Sequence, residues 1–160
     1  EMILKRNDYL FYKTSAFPQE ETLIGPISAS IHASTSAVDT DWYAILIVLD
    51  KDDKFVDMIS VGMLRAKFRN TLEKSELVEK DKVVRYNLEM DPYGVKLDKG
   101  QKIGLIITSS FGYPFLTKNL NKGKNNQTTT DYEIAKQKIY HTSKYESYIS
   151  LPILNNEGED

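Results

Sequence analysis

Ile27-Ser28-Ala29-Ser30-Ile31-His32-Ala33-Ser34 decides the fold class. Apolar and polar side chains alternate one by one, and successive side chains of a strand point to opposite faces. The stretch therefore reads as a half-buried strand with one wet face. The same period of two recurs where Val84, Tyr86, Leu88 and Met90 alternate with Arg85, Asn87 and Glu89, and less cleanly over Tyr145–Leu151. Two runs are apolar on both sides, Trp42 to Leu49 and Ile103 to Ile107. Strands covered on both faces read this way, so these two are expected at the centre of the sheet. Tyr9–Lys13, Lys54–Val61 and Asp131–Tyr140 are further strand candidates.

Residues that favour tight turns separate these runs: Gly25-Pro26, Asp50-Lys51-Asp52-Asp53, Asp91-Pro92-Tyr93-Gly94 and Asp98-Lys99-Gly100. Most gaps are too short for the helices that an alternating α/β architecture needs. The expectation is an all-β, antiparallel sandwich or barrel. One stretch resists this reading. Leu64, Phe68 and Leu72 have helical spacing and Thr71–Lys80 is rich in helix formers, so strand and helix both stay open there. The polar segment 112–130, rich in Asn, Lys, Gly and Thr, reads as a long surface loop and a place for interdomain or ligand contacts.

A length of 160 residues predicts one domain, with an ordered core over 8–154 and a frayed acidic tail over 155–160. Hydrophobic residues make up 41% of the chain, interrupted by charges throughout, so no apolar run suggests a membrane partner. The net charge of −2 gives no electrostatic footprint for nucleic acid. Zero cysteines exclude disulfides, thiolate metal ligands and a thiol nucleophile. The chain begins Glu-Met-Ile-Leu-Lys-Arg, which suits a fragment of a longer protein better than a native start and leaves the compartment open.

The residues supply little catalytic chemistry. A serine hydrolase needs a serine on a sharp turn, usually Gly-x-Ser-x-Gly, with a histidine base and an orienting carboxylate. The nearest stretch, Thr108-Ser109-Ser110-Phe111-Gly112, lacks the first glycine, and His32 and His141 both read as surface or rim imidazoles. Two isolated histidines do not make a zinc site, and the Asp50–Asp53 acid cluster reads as a solvated hairpin tip without calcium-loop spacing. No cofactor motif is present. Asp39-Thr40-Asp41 stands directly before the most apolar run. It is either a polar strand lead-in or a carboxylate pair gripped by guanidinium forks, with Arg65 and Arg69 as the candidate partners. Asn119 and Asn121 belong either to a plain exposed loop or to one that folds on itself through side-chain-to-backbone bonds. Tyr113, Tyr132 and Tyr140 offer a sugar-stacking platform or simple rim packing.

Taken in order, these segments resemble the C-terminal domain of the X-Pro dipeptidyl-peptidase and cocaine-esterase (CocE/NonD) group of serine hydrolases. The resemblance is carried by Gly25-Pro26, Asp39-Thr40-Asp41, Gly62-Met63-Leu64-Arg65-Ala66-Lys67-Phe68-Arg69, and Lys99–Ile103 running into Thr108-Ser109-Ser110. Asn119-x-Asn121-x-Gly123, Ala135–His141 and Tyr148–Ile153 complete it, from about Asp8 to Leu154. Two departures stand out: Val61 occupies a position that is usually Asp, and Gln101-Lys102 replaces His-Arg. The resemblance implies a jelly-roll, galactose-binding-like β-sandwich and favours strand over helix for Met63–Phe68. It also implies an α/β-hydrolase domain upstream in the parent chain that holds the catalytic Ser, Asp and His, with no catalytic, cofactor or metal residue in this segment.

Function follows as an expectation. The chain is a non-catalytic accessory domain that packs on its parent's catalytic and cap domains, narrows the substrate entrance and supports homo-oligomers. Parent substrates of the family are acyl esters, amides and peptides. The competing readings are a carbohydrate-binding jelly-roll module and a small independent hydrolase using Ser109.

Overall fold

The structure is a computed structural model that describes residues 6–112, 117–128 and 130–154. Eight strands run in the order β1 (Tyr9–Lys13), β2 (Glu21–Thr35), β3 (Asp41–Leu49), β4 (Phe55–Arg65), β5 (Val84–Leu97), β6 (Lys102–Thr108), β7 (Gln137–Tyr140) and β8 (Tyr148–Ser150). All pairings are antiparallel, and the spatial order is β1-β6-β3-β4-β5-β2-β7, with β8 also on β2. The sheet is continuous through one thin seam, where Gly62 of β4 pairs with Met90 of β5. There it curls into a half-barrel, so that a front half (β1, β6, β3, β4) and a back half (β5, β2, β7, β8) close on one core. This is the all-β antiparallel sandwich that the alternation predicts.

Gly62 makes the seam possible. A Cβ on it would lie 2.7 Å from both the Glu89 carbonyl oxygen and Met90 Cγ, closer than side chains tolerate. The shared core takes the even-numbered residues of β3 (Trp42, Ala44, Leu46, Val48) against Ile27, Ala29, Ile31 and Ala33 of β2 and Tyr86, Leu88 and Met90 of β5. Trp42 and Tyr86 meet with ring centroids 5.6 Å apart, and burial pushes the Tyr86 phenol above its ordinary pKa. All nine residues of β3 are buried, as its two-sided apolar run requires.

Two of the expected turns are not turns. Gly25-Pro26 lies inside β2 and Asp91-Pro92-Tyr93-Gly94 inside β5, and the two segments face each other across the longest pairing in the sheet. Gly25 pairs with Tyr93, Ile27 pairs with Met90, and the register shifts between Gly25 and Ile27. Proline has no N–H for the ladder, so each Pro sits where the ladder is already interrupted, and the strands bend there without reversing. The other two clusters do turn the chain. Asp50 Oδ1 accepts from the backbone N–H groups of Asp52 and Lys54, and Gln101 N–H bonds the Asp98 carbonyl.

The open stretch is strand only as far as Arg65, three residues short of the strand expected over Met63–Phe68, and is not a regular helix beyond it. β4 runs to Arg65, a single 3-10 turn covers Ala66–Phe68, and residues 69–80 continue without regular helix. Leu72 is 83% exposed, so the helical spacing of Leu64, Phe68 and Leu72 buries no common face. The Asp131–Tyr140 and Tyr145–Leu151 candidates shorten to Gln137–Tyr140 and Tyr148–Ser150, both laid along the same edge of β2. The chain then follows that edge, through Ile24 N–H to the Pro152 carbonyl and Leu154 N–H to the Thr22 carbonyl. The tail read as frayed lies outside the described residues.

Candidate functional site: a charged clasp beside an apolar sheet face

Asp39, Thr40 and Asp41 lead into β3, and Arg65 ends the neighbouring β4, which pairs Asp41 with Arg65 in register. The antiparallel ladder thereby brings a guanidinium to two carboxylates. Arg65 Nε donates to Asp39 Oδ2 at 2.8 Å, and one terminal nitrogen donates to both Asp41 carboxylate oxygens at 3.1 Å. Its other terminal nitrogen donates to the Leu120 carbonyl and to Gln127 Oε1, so strand ends and loop are held by one side chain. Asp39 is fully buried, and its Oδ1 accepts from the backbone N–H groups of Thr40 and Lys67, each at 3.0 Å. The Lys67 ammonium, on a residue only 6% exposed, reaches the Lys124 carbonyl at 3.2 Å. Burial raises the Asp41 carboxyl above its ordinary pKa, and Arg65 opposes that rise.

Asn119 completes the clasp. Its Oδ1 accepts from Asp41 N–H at 3.0 Å and its Nδ2 donates to Thr40 Oγ1 at 2.9 Å. Asn121, 1% exposed, exchanges two bonds with the backbone of Glu133, which folds the loop on itself. Farther along, Asp131 accepts from the Lys124 ammonium and from Thr128 N–H and is held well below the usual carboxylate range, at about 2. Of the two readings left open for this loop, the structure has the second, folded on itself at Asn121, and Asn119 ties it to the sheet end. Arg69 stands apart: it donates to the Ala66 and Glu76 carbonyls and pairs with the Glu76 carboxylate at 3.4 Å. The sequence reading missed Lys67 and Gln127. Both lie in charged or polar stretches where nothing local distinguishes a buried donor from a solvated one.

The carboxylates of the clasp are satisfied within the protein, although Gln127 Nε2 is buried without a hydrogen-bond partner among the described residues. Both Asp39 oxygens and both Asp41 oxygens accept protein donors, and the two carboxylates balance Arg65 and Lys67 in charge. The arrangement fixes the geometry of the strand ends and of the loop packed on them. The two imidazoles have local partners: His141 Nε2 lies 2.9 Å from the Tyr12 hydroxyl, and His32 Nδ1 lies 2.6 Å from the Glu146 carbonyl. Among the described residues no cluster of three His, Asp or Glu has the geometry to hold a metal ion. At the tip of the β3–β4 hairpin, Asp53 instead binds Lys102, at 2.7 Å, and Lys13. Asp8, Leu10, Trp42, Ser109 and Gln137 line a cleft of about 240 Å³ at one end of the sandwich. Gln137 bridges that cleft, donating to Thr40 Oγ1 and Ser109 Oγ. Of the tyrosine platform, Tyr113 lies outside the described residues. Tyr132 sits under the Lys118 ammonium, and Tyr140 shares a bond with Ser34 Oγ.

The front half carries a second feature. Residues paired across a ladder share a face, so Tyr43, Ile45, Ile47 and Leu49 of β3 lie with Met63, Val61, Met58 and Phe55 of β4 on the side away from the shared core. Phe11 of β1 and Ile106 of β6 extend this outer face, and the Phe11 ring lies against Gly104, where a Cβ would meet it at 2.8 Å. At its centre Ile45, Ile47 and Ile106 are buried, whereas around them Phe11, Phe55, Met58 and Met63 are 39–57% exposed. Val61, the departure from the usual Asp, belongs to this face. The back half is dressed the other way. On its outer side Arg85 Nε donates to Ser30 Oγ, Ser30 donates to Asn87 Oδ1, and Glu89 is exposed.

Comparison with known proteins adds to this geometry. The family model of the X-Pro dipeptidyl-peptidase C-terminal non-catalytic domain matches residues 2–150. Cocaine esterase from Rhodococcus sp. (strain MB1 Bresler) is 27% identical over 151 residues, which are 93% of this chain and 26% of that protein. A solved aminopeptidase from the marine sediment archaeon Thaumarchaeota archaeon superposes with a TM-score of 0.87 at 22% identity, over 97% of this chain and 27% of that one. A solved α-amino acid ester hydrolase gives 0.85 at 20% identity, over 96% and 27%. The chain thus spans about a quarter of the length of these relatives.

Proposed function

The chain belongs to the family of X-Pro dipeptidyl-peptidase C-terminal non-catalytic domains, and from that membership we propose that it serves as the accessory β-sandwich of a CocE/NonD-type serine hydrolase. The family match over residues 2–150, together with a span of about a quarter of the relatives' length, carries this reading. In it the catalytic Ser, Asp and His belong to an α/β-hydrolase domain elsewhere in the parent chain, and the sandwich packs on that domain and borders the substrate entrance. The clasp supports the same role. Arg65, Asp39, Asp41 and Asn119 hold the 117–128 segment in one place on the sheet end, and a rigid scaffold is what makes a loop useful for contact with a neighbouring domain. The parent's substrates on this proposal are acyl esters, amides or peptides.

The test compares hydrolysis by the 160-residue chain and by the longer chain that its native gene encodes, using p-nitrophenyl esters and X-Pro p-nitroanilides. Turnover by the longer chain alone is the expected result. Turnover by the 160-residue chain that disappears with Ser109→Ala would make it an independent hydrolase and overturn the proposal.

A further inference from the structure

We infer that the apolar outer face of the front half is the surface on which the rest of the parent chain seats, with Phe11, Phe55, Met58 and Met63 as its contact residues. The inference rests on the accessory-domain reading and assigns it a face.

The two outer faces of the sandwich differ in kind. The back half presents Arg85, Ser30 and Asn87 bonded to one another, with the half-exposed Tyr148 tied to Arg85 through its hydroxyl and Ile24 apart from it, so its apolar positions are separated by polar ones. On the front half, large apolar side chains at 39–57% exposure surround a buried aliphatic centre. Charges are confined to its two ends, where Lys13, Lys102 and Asp53 pair at one and Asp41 and Arg65 at the other. An apolar centre with a paired, polar rim is the anatomy of a protein interface.

Size and connectivity select the occupant. Four strands about 4.8 Å apart and about seven residues long at about 3.3 Å each span roughly 440 Å². That is the size of the largest apolar patch on a typical monomer, about 300–600 Å², which is often a functional one. It is little more than half of the roughly 800 Å² per partner that a free association needs. A domain in the same chain is held at an effective concentration of about millimolar, so a smaller contact suffices for it and falls short for a second copy. The family is the C-terminal domain of its parents, so the remaining three quarters of such a chain precede this segment and lead into β1. β1 is the edge strand of this same half, and Phe11 lies on it.

The test places Met58→Glu and Met63→Glu together in the 160-residue chain and in the longer native chain. Both side chains are exposed in the short chain, so its melting point should not move. In the longer chain the two charges should separate the domains, read as about tenfold faster proteolysis of the segment preceding β1. Should the double variant fail to fold in the short chain, Phe55→Ser gives the same readout from the far end of the face. Unchanged proteolysis in a longer chain that does carry a hydrolase domain overturns this face and leaves the accessory role standing. A native gene that encodes no further domain overturns both. A short chain that runs at twice its mass, and at single mass as the variant, assigns the face to a second copy and overturns the inference.

Discussion

Arg65→Met is the most informative single perturbation of the fold. Methionine keeps most of the length and removes the charge, together with donors to five acceptors: Asp39 Oδ2, both Asp41 oxygens, the Leu120 carbonyl and Gln127 Oε1. What remains is two carboxylates against the single Lys67 ammonium, Asp39 with a fully buried side chain and Asp41 with one 12% exposed. Breaking a buried pair by removing one partner costs about 3–5 kcal/mol. The Arg65 side chain is 18% exposed, so water partly replaces it, and the lower end, about 3 kcal/mol, is expected. With a urea m-value of about 2 kcal/mol per molar, the unfolding midpoint should fall by about 1.5 M. Adding Asp39→Asn and Asp41→Asn to Arg65→Met should recover part of the loss, because the amides still accept hydrogen bonds without repelling each other. A shift below about 1 kcal/mol, or a triple variant no more stable than Arg65→Met alone, would refute the electrostatic account of the clasp.

Gly62→Ala should cost about 1–3 kcal/mol, measured as a lower calorimetric transition, because the new methyl meets backbone at the seam; an unchanged transition would mean that β4 and β5 do not approach as described. Asn121→Ala removes both bonds to Glu133 and should speed proteolysis within 117–131 while far-ultraviolet circular dichroism stays that of a β-protein. Acid should loosen the same loop. The Asp131 carboxyl lies at about 2 against an ordinary 3.8, so its contribution is complete above about pH 4 and is lost as pH falls through 2. Asp131→Asn should remove that part of the acid sensitivity. Asp41, raised by burial, runs the opposite way: its protonation is favoured in the fold, and its contribution is lost as pH rises through its folded pKa.

The period-two signal made β2 and β5 legible because alternation reports burial directly, and the two-sided apolar run of β3 gave its place inside the sheet. Proline and glycine were less transparent. The same dipeptides serve reversals and bulges, and only the partner strand decides which, as Gly25 facing Tyr93 shows. Helical spacing at Leu64, Phe68 and Leu72 arose without helical burial. Within the clasp, the composition around Asp39 and Asp41 pointed to an arginine fork, but Arg65 and Arg69 are equivalent in sequence until strand register places one opposite Asp41 and carries the other past the end of β4. The apolar outer face was readable in part: Phe55-Val56-Asp57-Met58-Ile59-Ser60-Val61-Gly62-Met63 is rich in apolar residues at both parities. Which of them stay exposed depends on bulges opposite Leu46–Leu49, a tertiary feature.

Methionine oxidation tests most directly whether this sandwich is a docking module. Hydroxyl-radical footprinting would compare Met58 and Met63 in the 160-residue chain and in the longer, hydrolase-bearing chain that the accessory-domain proposal calls for, with Met90, 5% exposed, as the internal reference. Strong labelling of both methionines in the short chain and protection of both in the longer one is the predicted pattern. Equal labelling of Met58 and Met63 in the two chains would contradict it.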